Sequence, residues 1–337
     1  MAAPIWKDYY VTLGTGAYYD YEIRRDNTSG AVLYSGRAYK RPGADSVQVR
    51  INDVVADYLR EQLPALVNSG FTSFALALTV CVAVSGTAKA TETFYNDWSY
   101  DPTFNPSTMP LSDPVRATLD PRQRLIFSTL PASSLTATLT FRDGTAAQVV
   151  VPIARSADFN NDFNADFSKT STGAQGGAAI LDLSQFTGLA SVSIGGQTWA
   201  VLDNACAKYA VYYVNAYGGW DSLLLDGSTS RRDTLTRHTT KMDYDNRQQT
   251  ARGTRDYAIE VAPAWTLRTG ILTDAESSRM HHLLNSPEVY LCDLGTGTMR
   301  PVVLTDGETP HQSYDGNGRT LNQYTFNATL AQQRLRR

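Results

Sequence analysis

Residues Phe71–Ser85 read FTSFALALTVCVAVS, and the run separates into two columns. Phe74, Leu76, Leu78, Val80, Val82 and Val84 alternate with Ser73, Ala75, Ala77, Thr79, Cys81 and Ala83. A side-chain period of two belongs to a pleated strand, with large residues on one face and small ones on the other. The run is also shorter than the ~20 apolar residues a membrane helix needs. The large column is expected to face a core. The small column lets another layer approach closely, whether from this chain or from a neighbouring copy.

Outward from this strand the pattern repeats. On its N-terminal side WKDYYVTL, YDYEIRR, AVLYSGRAY and SVQVRI are strand-like pieces separated by Gly, Asn and Pro. One helix follows them, with Asn52 as its expected cap, Val54, Val55, Tyr58, Leu59 and Leu63 at helical spacing, and Pro64 after it. This gives an N-terminal β-rich module over 1–86. From 87 to 122 the periodicity vanishes, and TETFYNDWSYDPTFNPSTMPLSDP supplies aromatics, Asn, Asp and Pro. So long an aperiodic connection is expected to bind something, pack on a neighbouring subunit or link domains.

Over 123–228 eight short runs, from RLIFSTL to DSLLL, are spaced as in a β-sandwich, with Asp143-Gly144 and Gly195-Gly196 as hairpin turns. The C-terminal module, 229–337, adds five strands and one helix. Thr273 and Glu276 form a capping box there, Met280, Leu283 and Leu284 an apolar face, and Pro287 follows. The fold class expected is therefore mainly β, in multi-domain sandwich modules with two short helices. A length of 337 residues suits two or three domains.

Composition limits the function classes. Hydrophobic residues at 42% exclude wholesale disorder, while charged residues at 19% are few for a soluble chain and 19 Tyr are many, a balance that favours strands and contact surfaces. A net charge of −3 gives no electrostatic footprint for nucleic acid. The basic end Arg334, Arg336, Arg337 reads as a solvated tail. Cys81, Cys206 and Cys292 are odd in number, widely spaced and set in apolar runs, so they read as buried reduced thiols. MAAPIWKDYY lacks the basic-then-apolar order of a secretory signal, which makes the sequons at Asn27 and Asn327 chance matches.

The motif closest to a metal site is DFNNDFNAD, with Asp158, Asn160, Asp162, Asn164 and Asp166 alternating like calcium ligands. Phe163 stands where such a loop needs Gly and Lys169 where it needs a bidentate Glu, so an Asx-rich surface loop is expected and no metal. Adjacent His281 and His282 point about 100° apart on a helix and cannot share one ion, while His238 and His311 are isolated. GTG near Gly14 and GTGTMRP near Gly295 lack the partners of a phosphate or dinucleotide loop and read as turns. No nucleophile elbow, protease cysteine context or cofactor fingerprint is present, so neither an enzymatic activity nor a cofactor is expected.

The remaining candidates are aromatic. Tyr95, Trp98, Tyr100 and Phe104 lie in the connection, and Tyr217 and Trp220 in YGGWD. Rings mixed with Asn and Asp serve as anchors of a protein interface or as stacking platforms for sugars. At KYAVYYVNAYGGWDSLLLDG and LLNSPEVYLCDLGTGTMRPVVLTD the sequence resembles virion structural proteins of tailed phages and prophages of Bacteroidales bacteria. The resemblance implies a β-rich tail or baseplate component similar to distal tail proteins. Such a part self-assembles into a ring with other tail proteins, is built in the bacterial host cytoplasm and has no catalytic residues. The alternative is a carbohydrate-binding adhesin or lectin-type module that recognises host surface glycans through these aromatics.

Overall fold

The computed structural model describes residues 3–61, 66–67, 70–71, 77–95, 97–99, 101, 103–104, 109–111, 118–129, 134–155, 177–202, 206–241, 254–272, 274–305, 323–331 and 334–336. Among the described residues the fold is mainly β, with 59% in strands, several sheets and two short helices. It divides into two compact units, Met1–Asp203 with Val214–Ser222, and Asn204–Tyr213 with Leu223–Arg337.

The first unit opens with β1 (Ala3–Pro4), β2 (Tyr10–Gly14), β3 (Tyr18–Arg25), β4 (Val32–Tyr39), β5 (Val47–Arg50) and helix α1 (Asn52–Glu61). A two-residue pair, β6 (Leu66–Val67) and β7 (Gly70–Phe71), precedes β8 (Ala77–Val84) and β9 (Thr87–Tyr95). The order β1-β9-β8-β3-β4 makes a five-stranded sheet, while β2 and β5 pair separately. Strand β8 is the described part of the alternating run. Its large residues Leu78, Val80 and Val82 join a core with Ile23, Val47, Val55, Leu59 and Phe94. Ala77, Cys81 and Ala83 of its small column are buried as well, so the close approach that small residues permit is made within this chain. Phe74 and Leu76 lie outside the described residues.

Two expectations are corrected here. Asn52 does not cap α1. Its side chain accepts from the Tyr9 amide at 2.7 Å and donates to the carbonyls of Ile5 and Lys7 at 2.8 and 2.6 Å, tying the N-terminal segment to the helix start. The connection expected over 87–122 is not aperiodic throughout, because Thr87–Tyr95 is a strand paired antiparallel to β8. The turn between them is Ser85-Gly86, with φ of 48° and 78°, the positive pair that a tight two-residue hairpin turn demands.

The second sheet has β10 (Arg124–Thr129), β11 (Ser134–Phe141), β12 (Ala146–Arg155), β13 (Gly177–Asp182), β14 (Leu189–Ile194) and β15 (Gln197–Ala200), in the order β10-β13-β12-β11-β14-β15. Its outermost strands meet: Phe127 of β10 and Trp199 of β15 pack edge-to-face at 5.9 Å, and Leu119 bridges Val201. The sheet thus curls, sandwich-like, around Leu125, Leu139, Val192 and Ile194. Gly144 and the pair Gly195-Gly196 form the expected turns, and a Cβ at Gly195 would press on the Phe127 ring.

The last two runs assigned by sequence to this module belong elsewhere. Strands β16 (Tyr209–Val214) and β17 (Trp220–Leu225) start the order β17-β16-β20-β21-β22-β19-β18. The others are β18 (Ser230–Lys241), β19 (Thr254–Arg268), helix α2 (Asp274–Leu284), β20 (Val289–Asp293), β21 (Thr298–Leu304), β22 (Thr325–Leu330) and β23 (Arg334–Arg336). Met280 and Leu283 of α2 are fully buried; Thr273 lies outside the described residues. The basic end is not a loose tail, since Arg334–Arg336 pairs with Val261–Ile259 of β19. Cys81 and Cys292 are buried, but Cys206 is exposed and precedes β16 instead of lying in a strand.

Candidate functional site

The candidate aromatics fold into a polar and aromatic node of the first unit. Beyond β9 the chain turns so that the Asp97 amide donates to the Tyr95 carbonyl at 2.9 Å, and the Trp98 amide reaches the Ala216 carbonyl at 2.6 Å. Trp98 packs against the first core. The Phe104 ring lies 6.1 Å from Tyr95 and 4.6 Å from Tyr217. Tyr95 and Trp220 are buried, whereas Trp98, Phe104 and Tyr217 are half-buried. Tyr100 lies outside the described residues. Of the expected contact rings, Tyr95 and Trp220 are thus turned inward, while Trp98, Phe104 and Tyr217 keep partial exposure.

Two buried polar side chains organise this node. The Asp97 carboxylate accepts from the Trp6 indole at 3.1 Å and from the Ser99 amide at 2.7 Å. Burial, reinforced by the charge of Asp97 and a hydrogen bond to it, holds the Tyr95 hydroxyl well above the usual phenol range. Asn215 uses both ends of its amide. Its Nδ2 donates to the Leu111 carbonyl at 3.0 Å and to Asp221 Oδ2 at 2.6 Å, and its Oδ1 accepts from the amides of Tyr217 and Gly219 at 2.9 and 3.1 Å. Ser128 completes the stitching, its Oγ accepting from the Trp220 amide at 2.9 Å and its carbonyl from the Leu111 amide at 2.9 Å. A Cβ at Gly219 would fall on the Leu111 carbonyl, so glycine is required for this approach. The node ties Trp98 and Leu111 to residues 215–221, between β16 and β17 and at the start of β17.

Two exposed features escaped the sequence reading. One is the outer face of the β3–β4 hairpin. There Tyr18 opposes Tyr39, Asp20 opposes Arg37 and Glu22 opposes Ser35, so all six point away from the core that Tyr21 and Ile23 enter. Arg37 donates to both Asp20 oxygens at 2.6 and 2.9 Å and lies 4.8 Å over the Tyr18 ring. That hydrogen-bonded guanidinium holds the Asp20 carboxyl below its ordinary range.

The other feature is the β18–β19 hairpin in the second unit. Its strands have 12 and 15 residues, yet β22 pairs β19 only over Ala264–Arg268 and β23 only over Ile259–Val261. Residues 230–237 are all exposed, and Leu235 and Tyr257 present 55% and 66% of their surface.

Of the remaining candidates, His238 bonds Glu260 at 3.1 Å, and DFNNDFNAD and His311 lie outside the described residues. Among the described residues no group of three or more His, Cys, Asp and Glu could hold a metal ion, and no helix is long and apolar enough to cross a membrane. Set against known protein families, characterised proteins and solved structures, the chain matches none of them.

Proposed function

We propose that the chain is a structural component of a phage particle, a ring-forming part of the tail or baseplate that works through protein–protein contacts and not through catalysis. The observation that carries this reading is the β18–β19 hairpin. Strands of 5–6 residues are usual, and an isolated two-stranded hairpin is marginally stable in water, so a β18 exposed all along 230–237 beside a 15-residue β19 gains from a partner.

A second copy suits that role by charge. Strand β18 carries Arg231, Arg232, Arg237 and Lys241 against Asp233 alone, while the chain as a whole has a net charge of −3, which leaves the remainder distinctly acidic. A basic arm on an otherwise acidic molecule favours head-to-tail contacts, which form a ring where the rotation between copies closes. The charges on the outer edge guard against indiscriminate strand pairing. Contact is therefore made through the faces that bear Leu235 and Tyr257.

Size-exclusion chromatography with light scattering, followed by negative-stain imaging, tests the proposal. The wild type should form one closed oligomer, and Leu235→Asp with Tyr257→Asp should give monomers whose circular dichroism shows the fold retained. A wild type that stays monomeric at its highest soluble concentration would overturn the reading.

A further inference from the structure

We propose that the outer face of the β3–β4 hairpin, with the Ser85-Gly86 turn, binds a neutral saccharide. This inference does not depend on the assembly reading. A cleft of about 430 Å³ lies there, lined by Asp20, Tyr21, Glu22, Ser35, Gly36 and the Ser85-Gly86 turn. Its volume falls in the range of small-molecule sites.

Three properties select the ligand. The first is a pair of rings beside the cleft: Tyr18 and Tyr39, the next outward pair after Asp20 and Arg37 on the same face, stand 52% and 64% exposed with ring centroids 6.0 Å apart. The second is balanced charge. Asp20 is held by Arg37, and Glu22 by Arg24 at 2.6 Å, so the cleft offers no uncompensated charge to an ionic ligand. Lone pairs of both carboxylates remain as acceptors, and the hydroxyls of Ser35 and Ser85 both donate and accept. The third is prior order, since the Tyr18–Arg37–Asp20 set is already fixed without a ligand, which reduces the entropy lost on binding. A ring with a C–H face for stacking and several neutral hydroxyls matches this combination.

A cross-strand ladder that merely stabilises the hairpin would account for the Tyr18–Tyr39 and Asp20–Arg37 pairs. It does not account for the cleft, whose far wall is the Ser85-Gly86 turn of the neighbouring β8–β9 hairpin. The φ of 48° at Ser85 is the one that tight turn demands, and the turn sets the serine in the cleft wall.

The test is saturation-transfer NMR and calorimetry of the full chain. The probes are neutral mono- and oligosaccharides of glucose, galactose, mannose and N-acetylhexosamines, with sialyllactose and heparin fragments as charged comparisons. Neutral sugars should bind. Tyr39→Ala should weaken them about tenfold, the scale of one lost aromatic contact. Tyr39→Phe should retain most of the affinity, and Tyr10→Ala, 49% exposed on β2, should change nothing. Circular dichroism of Tyr39→Ala guards against misfolding. The proposal is overturned by absence of binding across the neutral panel, by binding that survives Tyr39→Ala, or by preference for the charged probes.

Discussion

Replacing Asn215 by Asp changes one amide nitrogen to oxygen, and the structure makes that a severe change. Asn215 is 2% exposed, and its Nδ2 is the donor to both the Leu111 carbonyl and Asp221 Oδ2. In Asn215→Asp the new carboxylate faces two acceptors, one of them charged and 2.6 Å from the atom replaced. Two like charges about 4 Å apart cost ~4 kcal/mol at an effective dielectric of 20. The lost bond to Leu111 adds ~1 kcal/mol. The total is a large share of the ~5–15 kcal/mol that holds an ordinary domain together.

The pair can escape by taking up a proton, which raises the folded-state pKa of one carboxyl above its unfolded value near 4. The folded variant then binds more protons than the unfolded one, so its stability rises as pH falls, and its deficit relative to wild type shrinks. Native-state hydrogen exchange of peptides spanning 209–225, measured from pH 8 to pH 5, reads this directly and avoids assuming that two units unfold as one. A deficit under ~1 kcal/mol at pH 8, or one that does not change with pH, would show that Asn215 does not donate to Asp221 as described.

Further outcomes follow from the same geometry. Tyr95→Phe should cost about 1.5–3 kcal/mol by removing a donor to buried Asp97, measured by urea unfolding. Because burial and Asp97 raise the Tyr95 hydroxyl above its unfolded value near 10, its contribution is complete below pH 10 and is lost as pH climbs through the higher folded value. Absorbance at 295 nm should therefore show the same number of freely titrating tyrosines in wild type and in Tyr95→Phe. Gly219→Ala should lower the melting temperature by several degrees, since its Cβ meets backbone and not a movable side chain. Leu78→Asp should abolish soluble expression while Thr87→Asp, exposed one turn away, is tolerated; equal tolerance would refute the placement of β8.

Much of the fold could be read because strand periodicity is local. The alternation at Leu78, Val80 and Val82 needs no partner to be recognised, and the same holds for the Gly195-Gly196 turn. Sheet membership could not be read, since β16 and β17 carry the same apolar signature as β10 to β15, and only pairing with Val289–Asp293 assigns β16 to the last sheet. Strand β9 was obscured for a related reason: TAKATETFY is an outer strand with small, polar and charged residues, so its period is weak. The Ser85-Gly86 dipeptide was the available signal, a turn marker directly after an unbroken strand.

The aromatic residues show why exposure is harder to read than periodicity. Clustering in YNDWSYDPTF suggested a surface awaiting a partner, yet Asp97 and Asn215 give the irregular backbone its hydrogen bonds and let the rings close over one another. Irregular chain can be buried once its polar groups are satisfied internally. Rings spaced along a strand meet the opposite condition. Tyr18 and Tyr39 are held by the pleat on the face opposite Tyr21 and Ile23, and β3 cannot turn them inward without turning its core residues out. A ring fixed outward by register stays available to a ligand or partner whatever its sequence neighbours are. For that reason the binding chemistry proposed here lies on the regular hairpin and not in the aromatic-rich connection.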